Sequence, residues 1–311
     1  MHIAQVRDWS EGPQYVTVED PPAPASGQIQ LRVLAAGLHQ VVRSRASGQH
    51  YSNSTAALPH NMGIDCVGRD VATGKLYYYA GLRPGFGSFA ELITVDRAGA
   101  HALPESVDPV QFAASVNPAI SSWLALRRRT VNLPENFTVL ILGATSASGR
   151  LAALVAKALG AGKVIGVARN EAALAQVEGL DELIVQKDVI ADTDFSKVEC
   201  DVVLDYVFGD LALHVLSTMN IRRPLQYVSI GVLSRKEVAI PPALLRSRDI
   251  TIRGSGPGSV PTRAILEEIK SLVPVMTSWK LSGAHSVPLK DVGAAWQDKS
   301  LADKGRLVFI P

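Results

Sequence analysis

The sequence predicts an α/β protein, with a doubly wound parallel sheet in the middle of the chain and an irregular, β-rich region before it. Three observations predict it. Residues 118–260 hold six short strand-like runs that alternate with helical segments. Gly143–Gly149 is a loop of small residues directly after the first run. A chain of 311 residues also has the length of two domains at ~150 residues each. The six strand candidates are Val139–Leu142, Val164–Ala168, Leu183–Val185, Val202–Tyr206, Gln226–Ile230 and Ile250–Arg253. The first four are near-continuous apolar runs, as expected of parallel strands covered on both faces. Between the first two, Leu151, Leu154, Val155, Ala158 and Leu159 have the spacing of a helix laid on a sheet. Gly160 and Gly162 supply the helix stop. Repeated units of this kind build a doubly wound nucleotide fold.

Before Asn117-Pro118 the pattern differs. Runs such as Gln28–Ala35 and Glu91–Val95 sit between turn clusters, Pro21-Pro22-Ala23-Pro24 and Arg83-Pro84-Gly85-Phe86-Gly87 among them. Segment 43–60 is polar and rich in Ser, Asn and His, and reads as loop. A last helix is expected at about Thr262–Leu272, and Arg306–Ile310 has the pattern of a strand.

Composition excludes several classes of function. Apolar residues are 47% and charged residues 19%, which gives packed cores rather than disorder. Lys and Arg number 31 against 29 Asp and Glu, so nothing points to nucleic acid or an anionic membrane as partner. Two cysteines are too few for a disulfide framework or a four-cysteine zinc site. Met1–Trp9 carries charges where a signal peptide needs an apolar stretch, and no apolar run is long enough to span a membrane. A soluble, cytoplasmic protein is expected.

The loop Gly143-Ala144-Thr145-Ser146-Ala147-Ser148-Gly149 follows a strand and precedes a helix. In that context small residues let backbone N–H groups approach a pyrophosphate at the helix N-terminus, where the dipole favours negative charge. Gly143 serves the tight turn and Gly149 the close contact of helix and sheet, while Ser146 and Ala147 replace the usual middle glycine. A ligand-free tight turn is the competing reading. Past the loop, an NAD site places an acidic residue at the end of the second strand. Here Val167-Ala168-Arg169-Asn170 stands there, and a guanidinium suits a 2′-phosphate. The cofactor expected is NADPH, with Arg169 as a merely solvated charge the alternative.

Five further segments carry a resemblance. Ala35-Ala36-Gly37-Leu38-His39, Gly63-Ile64-Asp65-Cys66-Val67-Gly68, Gly87-Ser88-Phe89-Ala90-Glu91, Asn117–Leu126 and Lys304-Gly305-Arg306-Leu307-Val308 stand in order around the loop. Together they resemble the zinc-independent quinone oxidoreductase branch of the medium-chain dehydrogenase/reductase superfamily, nearly end to end. The resemblance implies a Rossmann sheet, 118–260, inserted in a β-rich GroES-like catalytic domain made of 1–117 and 261–311. It implies a nicotinamide in the cleft between them, and hydride transfer from NADPH to a quinone or an α,β-unsaturated carbonyl. A homodimer that pairs the sixth strand with its twofold mate is also implied. The zinc-dependent branch needs a Gly-His-Glu segment where this chain has Gly63-Ile64-Asp65, and Ile64 cannot coordinate zinc, so no metal is expected. Cys66 lies in an apolar run and reads as core. The short-chain dehydrogenases are set aside because no tyrosine here has a lysine four residues on.

Without a metal, hydrogen-bond donors must stabilise charge on the substrate oxygen and deliver a proton. The family's Asn-Pro-x-Asp appears here as His39-Gln40-Val41-Val42. His39 has the ring type suited to proton delivery, and a structural histidine bonded to a backbone carbonyl is the alternative. Tyr51 is a candidate to line the substrate pocket or to stay in the rim. Asn117 is a candidate to hold the nicotinamide amide, or to cap a helix that starts at Pro118. In Tyr77-Tyr78-Tyr79 one or two rings are expected in the core. Tyr206-Val207 and Ile230-Gly231-Val232 end the fourth and fifth strands, where doubly wound sheets bind ligands. A non-catalytic NADPH-binding sensor or scaffold on the same fold is the alternative function.

Overall fold

In the computed structural model, which describes residues 1–48, 57–83, 85–235 and 237–311, the chain forms two units. One is Met1–Asn117 with Thr262–Pro311, the other Pro118–Pro261. The first begins with β1 (His2–Val6), β2 (Pro13–Thr17), β3 (Gln28–Gly37), α1 (Gln40–Ala46), β4 (His60–Asn61), β5 (Asp65–Asp70), β6 (Leu76–Ala80), β7 (Leu92–Asp96) and β8 (Ala100–Ala102). Ile29, Leu31 and Val33 of β3 are buried at the period of two that a half-covered strand requires. Helix α2 (Pro109–Arg128) follows.

The second unit is built on β9 (Thr138–Leu142), α3 (Ala147–Ala158), β10 (Lys163–Ala168), α4 (Glu171–Leu174), β11 (Glu182–Val185), β12 (Val202–Asp205), α5 (Asp210–Thr218), β13 (Leu225–Ser229), α6 (Pro242–Ser247) and β14 (Ile250–Gly254). The chain then returns through α7 (Thr262–Met276), β15 (Ala284–Pro288), α8 (Val292–Gln297) and β16 (Arg306–Ile310).

All neighbours in the second unit's sheet are parallel, in the order β11-β10-β9-β12-β13-β14. The chain reverses direction across the sheet between β9 and β12, which opens a crevice at their carboxyl ends. In the first unit, β3 pairs antiparallel with β5 and β7 and hands its last residues, Ala36 and Gly37, to β16. Phe89 and Phe309 meet edge to face at 5.0 Å in the core beneath that sheet.

Three sequence expectations are corrected. Residues 43–46 are helical rather than loop, because Val42 and Ala46 of α1 bury at an i, i+4 spacing that the surrounding polar residues hide. The buried stripe of α3 is Gly149, Ala152, Ala153, Val155 and Ala156, whereas Ala158 is exposed. Small residues, not the leucines, bring that helix close to the sheet. Asn117 and Pro118 both lie inside α2, so Asn117 caps nothing. In β6, Tyr78 and Tyr79 are buried and Tyr77 is half-buried.

Candidate active site

The nucleotide loop is held by backbone. Gly143 has φ +83°, a left-handed conformation that glycine adopts without strain, and its N–H and that of Ala144 both donate to the Val167 carbonyl at 3.0 Å. A Cβ on Gly149 would run into the Gly143 carbonyl and stand 2.8 Å from Ala144 Cα. The loop is shorter than the sequence implies. Ser146 is the N-cap of α3, its Oγ accepting from the Gly149 N–H at 3.0 Å, so Ala147, Ser148 and Gly149 form the first helical turn. The N–H groups of Ala147 and Ser148 have no acceptor within the helix, and with the helix dipole they fit a pyrophosphate. Arg150, not singled out by sequence, donates its Nε–H to the Thr145 carbonyl at 3.1 Å and braces the loop.

Two more loops converge on the same sheet edge. The Ile230 and Gly231 N–H groups donate to the Asp205 carbonyl at 2.8 and 3.1 Å, and Leu233 N–H donates to Tyr206 and Val207 carbonyls. A Cβ on Gly143 would lie 3.0 Å from Val207 Cγ2, so these loops stand side by side. Their brace is Asp205, which sequence reasoning missed. Its carboxylate accepts from the N–H groups of Val207 at 2.7 Å and Phe208 at 2.9 Å, and from the Tyr227 hydroxyl. Burial pushes this carboxyl above the usual range, against those three donors. Tyr206 is buried, with its hydroxyl 3.2 Å from that of Ser121, and burial pushes it up to about 12. Val232 is exposed. Arg169, at the end of β10, is exposed and forms no ion pair among the described residues. Asn170 spends its side-chain oxygen on capping α4, accepting from the Ala173 N–H at 2.9 Å.

A different kind of cluster forms in the first unit. His39 is fully buried between β3 and α1, and its Nε2 lies 2.9 Å from Asp65 Oδ1. The other Asp65 oxygen accepts from the Tyr78 hydroxyl at 2.9 Å. Burial first, then the Asp65 charge, raises that hydroxyl well above its ordinary range. Arg306, itself half-buried, donates to the Leu38 carbonyl at 3.3 Å and feels the Asp65 charge. His39 Nδ1 is buried with no hydrogen-bond partner among the described residues. His39 is thus bonded to a carboxylate rather than to the backbone carbonyl of the structural alternative. A lone acid in the apolar run Ile64-Asp65-Cys66-Val67 was the available signal for Asp65. Cys66 is buried and its thiol is pushed up by burial and the adjacent carboxylate, as a core cysteine should be. Asn117 is half-buried within α2. Tyr51 lies outside the described residues.

No protein-family profile matches the chain. Across its full length, however, it is 38% identical to the full length of the "Probable NADPH-dependent quinone reductase tdiC" of Emericella nidulans. The chain belongs to the quinone oxidoreductases of the medium-chain dehydrogenase/reductase superfamily. Among solved structures, the Thermus thermophilus quinone oxidoreductase, also determined with NADPH, matches with a TM-score of 0.80 at 24% identity, covering all of both chains. The Escherichia coli quinone oxidoreductase complexed with NADPH matches with a TM-score of 0.78 at 22% identity over the same coverage. These two share the fold. In this quinone oxidoreductase the glycine cradle at Gly143 and Gly149 fits the pyrophosphate of the cofactor named for the fungal relative. No helix among the described residues is long and apolar enough to cross a membrane.

Proposed function

We propose that this protein transfers hydride from NADPH to a quinone or an α,β-unsaturated carbonyl, without a metal, in the cytoplasm. The observation that carries the reading is the backbone cradle of Gly143 to Gly149, with Arg169 in no ion pair among the described residues and no carboxylate at the end of its strand in the sequence. Arg169 binds the 2′-phosphate, and the loops at Tyr206-Val207 and Ile230-Gly231-Val232 cover the dinucleotide. Asn117 holds the nicotinamide amide.

NADPH, when bound, supplies the hydride. Negative charge then grows on the substrate oxygen, and His39 gives it a proton from Nδ1. Ile64 at the position of a zinc-ligating imidazole supports chemistry without metal. β14 ends the parallel sheet with Thr251 and Ile252 exposed, which supports pairing with its twofold mate to form a homodimer. Light scattering showing only monomer at micromolar protein contradicts that assembly. The test of function is NADPH consumption with a panel of quinones and enones, with and without a chelator. Turnover that survives chelation is the expected result. Tight NADPH binding with no turnover on any acceptor counts against it.

A further inference from the structure

The Asp65 carboxylate of the His39 cluster has no part in the reaction as proposed so far. We infer that Asp65 is a positioning residue that fixes which nitrogen of His39 exchanges the proton. The inference rests on the proposal that His39 is the proton donor.

An ionised carboxylate only accepts hydrogen bonds. Asp65 takes one from Tyr78 on Oδ2, and on Oδ1 it takes one from His39 Nε2. The Nε2 proton is therefore held in place, and Nδ1 becomes the bare atom of the neutral ring. That atom is the one left buried and without a partner among the described residues. Unpaired buried polar atoms are rare in folded proteins and point to a function or a ligand.

When Nδ1 takes a proton, the imidazolium lies 2.9 Å from the Asp65 carboxylate. In the catalytic step the Nδ1–H bond breaks and an O–H bond forms on the anion left by hydride transfer. The ring returns to neutral, and one solvent proton restores it. Asp65 keeps its charge throughout, the same division of labour as in the Asp–His pair of serine hydrolases. The titratable groups around the pair are Asp65 and Cys66 from β5, Tyr78 from β6 with His101 of β8 stacked on it, and Arg306 from β16.

The test is ¹⁵N NMR of His39 together with quinone turnover on the same proteins. Wild type is expected to show the neutral ring protonated on Nε2. Asp65→Asn is expected to mix the two tautomers and to lower kcat about tenfold or more, with the KM for NADPH unchanged. The wild-type tautomer carries the test if Asp65→Asn does not fold. A wild-type ring protonated on Nδ1 overturns the inference, as does an Asp65→Asn protein with the wild-type tautomer and kcat. If the tautomers mix as stated while His39→Gln turns over like wild type, the positioning by Asp65 stands and the donor role of His39 fails.

Discussion

At the carboxyl edge of the parallel sheet the chain presents backbone, whereas around His39 it assembles side chains from four separate strands or their ends. The first site is contiguous: Gly143 to Gly149 turn, cap and start a helix within a single loop. The second joins residues 26 and 13 positions apart, His39 to Asp65 and Asp65 to Tyr78. A site made of backbone needs only permissive residues, so it tolerates Ser146 in place of a glycine. A site made of buried polar side chains fails when one partner is removed, because the others remain unpaired.

That contrast orders the expected losses. Asp65→Ala should be the most damaging single change, costing about 3–5 kcal/mol because it leaves His39 and Tyr78 without their common partner. Denaturant unfolding measures it, and a loss under ~1 kcal/mol would make the cluster peripheral. Gly149→Ala should cost about 1–3 kcal/mol through overpacking against the Gly143 carbonyl. It should also weaken NADPH binding, read by titration, since the loop must shift to admit the methyl group.

Arg169→Ala should leave stability unchanged and remove about 1.5–3 kcal/mol of preference for NADPH over NADH, measured as the ratio of the two affinities. An unchanged ratio makes Arg169 a solvated charge. The smallest effect concerns Asp205. Its carboxyl is raised by burial, so the folded chain favours the protonated form. Its contribution to stability is therefore fullest below the ordinary carboxylate range and declines as pH rises through the raised value. Asp205→Asn should remove that decline, seen as a flatter dependence of the thermal midpoint on pH.

The same contrast explains what could be read from sequence. All six strands of the parallel sheet appear in the sequence to within a residue or two, the central ones because strands covered on both faces are written as apolar runs and the edge ones because they alternate with helical segments. Gly143 and Gly149 were legible because their roles are local. Helix α1 was not, since only Val42 and Ala46 mark its buried side in a polar stretch. The α3 stripe misled because leucine counts as apolar wherever it sits, while alanines make the close contact with the sheet. Asn117 before Pro118 looked like a helix start because proline favours first turns, yet α2 carries both in its interior. Asp65 is written as a lone acid in an apolar run, but its donors His39 and Tyr78, like the Tyr227 donor of Asp205, are distant in sequence and meet it only in the fold.

In the proposed mechanism the backbone cradle at Gly143 to Gly149 holds NADPH and His39 supplies the proton. Steady-state quinone reduction by wild type and His39→Gln tests it most directly, with NADPH affinity measured alongside. The donor role of His39 predicts a kcat lower by about 10²–10⁴-fold in the variant, with NADPH bound equally well. Equal kcat in the two proteins, or a loss of NADPH affinity that accounts for the whole effect, would contradict it.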